Sequence, residues 1–341
     1  MASGSYGDNL KVTVPNEFDL VFHIRFPENK LIIVREDPEL AGNVHLDFTK
    51  VLAKIHREKQ HATTYTYLCK WLDDDNCLIV NKLQSYIQSC FTKALEDMDW
   101  HFDNIKLRYH REGPAHTIKV NGLTMEYSVD FVPGILMDQE QSVTKANVGQ
   151  WEAIPKPIKW ADWDHTSFRS SFYRQEQNLI KDCNNLKNCL RMIKKFRDAH
   201  SNMSCMKSYF IKTLFLWKVQ EKQNKSYWNN SLSVIILDMF IAMENSLRSE
   251  ELPFFWDRRL NMYQELSSFN LSEMLRCVRN ARIFLEKAKM EITPLTQSLV
   301  YEIFLNYHER HPEMKPESNY GGNDMDSNLD EPVAESSCVI L

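Results

Sequence analysis

No apolar run in the 341 residues approaches the eighteen or so that a membrane-crossing helix needs. The first residues lack the basic start and apolar stretch of a secretory signal, and no internal repeat recurs along the chain. Eight cysteines stand apart at 69, 77, 90, 183, 189, 205, 277 and 338; without a secretory signal they read as reduced thiols of a cytosolic protein. Nor is there an overall excess of positive charge, the formal net charge being −5.

What is present is ordinary for a folded domain: 43% hydrophobic and 26% charged residues, in a length that fits one bilobal domain or two smaller ones. The charge is unevenly spread. From Lys181 to Lys218 nine Lys/Arg face two Asp, a local balance of +7 that leaves the remainder near −12. Such a basic segment in an acidic chain points to a phosphate-bearing partner at one place rather than general adhesion to nucleic acid, or to a solvated helix face.

The stretch GSYGDNLKVTVPNEFDLVFHI (4–24) alternates like a strand near its end. Phe18, Leu20, Phe22, Ile24 and Phe26 fall on one face; Glu17, Asp19, Val21, His23 and Arg25 fall on the other. LIIVRE (31–36) reads as the neighbouring strand. Leu46, Val51, Leu52 and Ile55 stand near helical spacing, and Leu83, Ile87, Cys90, Phe91 and Ala94 more clearly so. From 105 the period returns to two in IKLRYH, TIKV and LTMEYSVDFV, separated by the turn signals EGP and NG. VGQWEAIPKPIKWADWD (148–164) reads as a linker packed between lobes, and helical patterns follow over 171–197, 207–220, 231–248, 271–289 and 295–307. From 312 the chain turns polar and acidic, the composition of a disordered tail. The expected architecture is α+β: a lobe with a mixed sheet over 1–150, an all-helical lobe over 151–311, a tail over 312–341, and a cleft between the lobes.

Residues two apart on a strand share a face, about 7 Å apart. Glu17 and Asp19 therefore present carboxylates to one point, and Asp130, on the polar face of the matching SVD strand, is the candidate third. Three such groups suit a hard divalent ion that also holds substrate phosphates, and two ions would clamp an in-line phosphoryl displacement. The Gly4-Ser5 turn offers backbone N–H groups and a hydroxyl at close approach, which suits a triphosphate. Paired acids on an edge strand also serve solubility, and it is the combination that points to chemistry.

Gly-Ser, then Glu-x-Asp, then a distant Asp resembles the active site of the polymerase β superfamily of nucleotidyltransferases. SFRSSFYRQEQNLI (167–180), CLRMIKKF (189–196), KSYFIKTLFLW (207–217) and LPFFWDRRLNM (252–262) resemble segments of the cyclic GMP-AMP synthase-like receptors, the Mab-type animal branch, in order and spacing. The likeness covers roughly residues 3 to 310. It implies a bilobal polymerase β-like fold and synthesis of a cyclic dinucleotide from ATP and GTP with two Mg²⁺ or Mn²⁺ ions, in innate antiviral signalling. Glu17, Asp19 and Asp130 would be the metal ligands, with Asp130 also helping to deprotonate the attacking ribose hydroxyl. Ser5 would contact phosphates; Lys194 and Ser208, with Lys212 a turn further on, would hold the donor triphosphate. Tyr209 would stack on a base, and Arg169, Ser171, Tyr173 and Glu176 match the segment lining the purine pocket. Other readings are a constitutive, non-cyclising nucleotidyltransferase and a catalytically silent Mab-type scaffold.

Three departures accompany the likeness. Three residues precede Gly4, where the family has a long helix spanning both lobes. Cys183, Cys189, His200 and Cys205 include no adjacent cysteine pair, so no structural zinc is expected. Val132 stands where vertebrate members carry a base-reading Thr, which implies a different base choice. Insect-type members without the zinc insertion resemble sensors of double-stranded RNA, and the 181–218 segment would supply phosphate contacts to a duplex read by shape. Finally, the chain ends CVIL, a C-a-a-X pattern that predicts geranylgeranylation of Cys338 and a membrane tether for an otherwise cytoplasmic protein. Asp324, Asp326, Asp330, Glu331 and Glu335 work against an anionic leaflet, and one lipid anchors only weakly.

Overall fold

The computed structural model describes residues 2–3, 16–96, 105–122, 126–143, 149–158, 164–291 and 293–310; Ser5, Cys338 and the acidic tail lie outside them. Among these residues nine strands form one sheet: β1 (Ala2–Ser3), β2 (Glu17–Ile24), β3 (Ile33–Glu36), β4 (Asn43–Asp47), β5 (Lys106–Glu112), β6 (Ala115–Asn121), β7 (Glu126–Met137), β8 (Trp151–Ile154) and β9 (Ser167–Ser171). Their order is β1-β2-β7-β8-β9-β4-β3, with the β5–β6 hairpin joined to β7 through β6. The β2–β7 pair is parallel and the other ladders are antiparallel, so the sheet is mixed, as expected.

The register divides the sheet into two chemically different faces. Phe22, Ile24, Val44, Leu46, Ile135, Met137, Trp151, Ala153 and Phe168 point to one side and pack in a single apolar core. Over them lie α1 (Thr49–Ile55), α2 (Ala62–Trp71) and α3 (Val80–Glu96), contributing Val51, Ile55, Leu68, Leu83 and Ile87. Phe91 of α3 stacks on His116, with centroids 5.1 Å apart, and meets Phe22 and Phe131. The opposite face carries the polar residues taken up below.

The second lobe is helical: α4 (Tyr173–Ile180), α5 (Leu186–Ala199), α6 (Ser208–Lys222), α7 (Leu232–Ser249), α8 (Ser268–Met290), α9 (Pro294–Glu302) and α10 (Tyr307–Arg310). Its core is separate, built on Phe196, Phe210, Phe215, Trp228, Phe240, Tyr263 and Met274. Glu244 of α7, buried, takes Arg248 from its own helix and Arg279 and Arg282 from α8, which ties the two longest helices together. Among the described residues no helix is long and apolar enough to cross a membrane.

Four expectations need correcting. The sheet runs through β8 and β9, so the strand-bearing lobe extends past the boundary expected at 150, and the Trp/Pro-rich stretch supplies a central strand rather than a linker. Strand β3 lies at the far edge of the sheet, and β2 is flanked by β1 and β7. Leu46 belongs to β4; the helix begins only at Thr49. The helical pattern over 171–197 is two helices, parted by a turn at Asp182, whose φ is +62°.

Candidate active site

Asp19 and Asp130 sit opposite each other in the parallel β2–β7 ladder, and Glu17 sits opposite Ser128. Paired residues of neighbouring strands point to the same side, so the register of the ladder itself turns the three acids toward one another. One carboxylate oxygen from each lies within 4.8 Å of the others. Among the described residues this is the one group of three His, Cys, Asp or Glu side chains so gathered. Asp130 is buried while Glu17 and Asp19 are half-buried, and the Thr117 hydroxyl donates to Asp130 Oδ1 at 2.6 Å. Thr117 stands opposite Asp130 in the β6–β7 ladder. Oxygen donors only, all acidic, fit Mg²⁺ or Mn²⁺.

The same register extends the polar face beyond the acids. Val132 and Gly134 follow Asp130 on β7; Glu152 and Ile154 of β8 pair with Ser171 and Arg169 of β9. Val21, Val132, Ile154 and Ala115 form a small apolar floor. His23, on the same edge of β2 as Asp19, brings Nε2 to 3.2 Å from Glu152 Oε1. Arg169 lies over Phe254, with its guanidinium 6.0 Å from the ring centroid. Glycine is required at 42, where φ is +78° and a Cβ would stand 2.9 Å from Arg169 Nη1.

A second cluster forms where α4 meets α6 and the loop that carries Trp256. Glu176 is wholly buried and accepts from the Tyr209 hydroxyl at 2.6 Å and from Trp256 Nε1 at 3.0 Å, while Lys212 Nζ lies 2.9 Å from its other oxygen. Lys212 also stands 5.0 Å from the Tyr173 ring centroid. The Tyr209 ring packs with Phe254 and Leu260 and is 5% exposed, and Lys194 and Lys212 are each 6% exposed. Ser208, at the start of α6, accepts from Arg197 Nη1 at 2.8 Å, with Lys194 one turn before Arg197 on α5.

The structure thus brings Glu17, Asp19 and Asp130 together, sets Arg169 and Ser171 on the same face of the sheet, and gathers Tyr173, Glu176, Tyr209 and Lys212 into one network. Ser208 and Lys194 are neighbours of Arg197 instead. Ser5 lies outside the described residues. Cys183 and Cys189 are buried in the helical lobe, and His200 directs Nδ1 to the Phe196 carbonyl. Sequence reasoning missed Thr117, Glu152, Arg174 and Trp256. Each lies in a stretch the pattern marks, Thr117 in TIKV, Glu152 in 148–164, Arg174 in 167–180 and Trp256 in 252–262, but nothing local to it signals a part in the site.

Comparison with known proteins finds relatives over both lobes. Residues 6–182 match the family model of the Mab-21 protein nucleotidyltransferase domain, and residues 185–280 that of the Mab-21 protein HhH/H2TH-like domain. The chain is 56% identical over 306 residues to a cyclic GMP-AMP synthase-like receptor of Lucilia cuprina, covering 88% of this chain and 83% of that one. It is 42% identical over 295 residues to cyclic GMP-AMP synthase-like receptor 2 of Drosophila melanogaster, covering 81% and 64%. With receptor 1 of the same fly the identity is 38% over 316 residues, covering 88% and 83%.

Proposed function

The chain belongs to the Mab-21 nucleotidyltransferase family, among its cyclic GMP-AMP synthase-like receptors, and from that premise we propose that it joins ATP and GTP into a cyclic dinucleotide in response to double-stranded RNA, as part of innate antiviral defence. The observation that carries the reading is the convergence of Glu17, Asp19 and Asp130 within 4.8 Å on one face of the sheet.

In this reading Glu17, Asp19 and Asp130 hold two Mg²⁺ or Mn²⁺ ions, which when bound neutralise the triphosphate and the leaving pyrophosphate. Asp130, oriented by Thr117, accepts the proton of the attacking ribose hydroxyl. Arg169, Ser171, Tyr173 and Glu176 line the purine pocket; Ser5, Lys194, Ser208 and Lys212 meet the triphosphate; and Tyr209 is the platform for a base. Because Lys212 and Tyr209 are nearly covered and held by Glu176, their use on a nucleotide requires the Glu176 network to rearrange. Ordering of the cleft by a duplex on the basic 181–218 segment supplies that step. The C-terminal CVIL adds prenylation of Cys338, and with it a membrane-tethered cytoplasmic pool, checked by the intact mass of protein from eukaryotic cells.

The test is incubation of the purified chain with labelled ATP and GTP and Mn²⁺, with and without long double-stranded RNA. The expected result is a cyclic product that appears with RNA and disappears in Asp130→Asn. Product without RNA overturns the activation clause. Linear product alone overturns cyclisation, and no product under any condition overturns the enzymatic reading in favour of a silent scaffold.

A further inference from the structure

One buried acid on the site face has no part in the chemistry above. Glu152 lies at the centre of the sheet and is 2% exposed, its Oε1 against His23 Nε2 and its Oε2 without a hydrogen-bond partner. It stands opposite Ser171 in the β8–β9 ladder. The strand bearing His23 also bears Glu17 and Asp19, and the segment that follows Ser171 bears Arg174 and Glu176 on the first turn of α4. No side chain intrudes from β7, because Gly134 lies between: a Cβ there would meet Val21 at 3.3 Å and the Glu152 Cβ at 3.4 Å.

We propose that Glu152, bridging to His23, is a positioning residue for the nucleotide, fastening the purine-pocket segment to the strand that carries two metal ligands. Stability does not account for an acid here. Burying a carboxyl costs free energy, and a well-packed apolar side chain in its place is often neutral or better. What a carboxyl adds is direction: a hydrogen bond fixes β8 against β2 at one height, and the β8–β9 ladder passes that height to Ser171.

Burial pushes the Glu152 carboxyl up to about 7, with Arg174 and the Ser171 hydroxyl opposing and Glu176 adding to the rise. His23 is shifted down, chiefly by burial, with Arg174 and Arg25 acting in the same direction. Both shifts weaken the charged forms, so the contact rests on the hydrogen bond more than on opposite charges. His23 is four residues along β2 from Asp19, about 13 Å away at strand rise, so the pair acts on the base-holding end of the cleft and not on the reacting atoms.

The inference rests on the nucleotidyltransferase reading, and the experiment separates the two. Wild type, Glu152→Ala, Glu152→Gln and His23→Gln are compared for KM and kcat with ATP and GTP, and for binding of a non-hydrolysable ATP analogue. Loss of uniform binding predicts a KM about tenfold higher in Glu152→Ala with kcat within about threefold, while Glu152→Gln, which keeps a hydrogen bond, stays within about threefold of wild type in both. If Glu152→Ala does not fold, His23→Gln, altered at a partly exposed side chain, carries the test and raises KM in the same direction. An unchanged KM in both, or equal impairment of Glu152→Gln and Glu152→Ala, overturns the inference alone. A wild type that neither binds nor turns over nucleotide overturns it together with the reading beneath it.

Discussion

Asp130 is held from the side by Thr117, whose hydroxyl hydrogen bond fixes the carboxylate without adding charge. In Thr117→Val the strand survives and the bond is lost. Since partners behind a metal ligand typically contribute ten- to a hundredfold to metal affinity, the Mn²⁺ concentration for half-maximal activity is expected to rise about tenfold. Titration of activity against Mn²⁺ checks this. On the other face of the sheet, His116 shows how a buried imidazole is kept neutral. Gln84 gives its amide nitrogen to the carbonyls of Pro114 and Pro155, so its oxygen accepts from His116 Nε2–H at 2.7 Å. Nδ1 is then left to accept from the Tyr109 hydroxyl at 2.8 Å. Burial, with Arg111 adding, holds the ring's pKa down to about 4. The unfolded chain binds the proton first, so His116 contributes stability above about 6.5 that is lost as pH falls toward 4. Urea midpoints at pH 7.5 and 5.0 should fall further in wild type than in His116→Gln, which cannot titrate. The acids of the site were legible because a strand's period of two makes neighbours of Glu17 and Asp19. The partners of Asp130 and His23 were not, since Thr117 and Glu152 reach them only through ladders between distant segments.

Strand β7 shows where pattern reading stops. Its alternation was followed only to Val132, because Pro133-Gly134 is a breaker signal, yet the strand continues to Met137. Pairing with β6 ends at Phe131 and pairing with β8 begins at Ile135, so Pro133 falls in a gap between two neighbours where a missing N–H leaves no ladder bond unmade. Gly134 is needed for a different reason: Val21, Ile154 and Glu152 close over it. Gly134→Val is therefore expected to part β2 from β8, costing about 1–3 kcal/mol and lowering activity beyond the loss of folded protein. The denaturant midpoint and the specific activity of the folded fraction measure the two effects separately. Strand β8 escaped notice as a strand because it is buried on both faces and short, and the Pro and Trp residues around it look like connection. Most helices were legible, since a stripe of apolar residues at three and four spacing survives any tertiary context; the turn at Asp182, the strand residue Leu46 and the helix Ala62–Trp71 were not.

At the scale of the whole molecule, one loop of the helical lobe joins the two lobes. Pro253 and Asn261 bridge its ends; Trp256 packs on Phe172, with centroids 4.7 Å apart, and donates to Glu176. The Asp257 carboxylate accepts from the Gly42 N–H at 2.9 Å and from Arg259, which also reaches Glu36. Asp257→Ala leaves the Gly42 N–H and Arg259 without this acceptor, so a loss of about 1–3 kcal/mol is expected, with activity falling as the lobes loosen. Melting curves and turnover of the folded protein check both. The hydrogen bonds from Arg259, foremost, hold the Asp257 carboxyl below its usual range, so this part of the bracing is present at neutral pH and fades in acid.

The parallel pairing of β2 with β7 also bears on how the molecule comes into being. Asp19 and Asp130 are about 110 residues apart in the chain, and closing so long a loop costs entropy before any contact repays it. What the closure gathers is three acids that repel one another. The centre is therefore expected to close late as the chain folds, and a half-made chain lacks the one place where its three acids can act together.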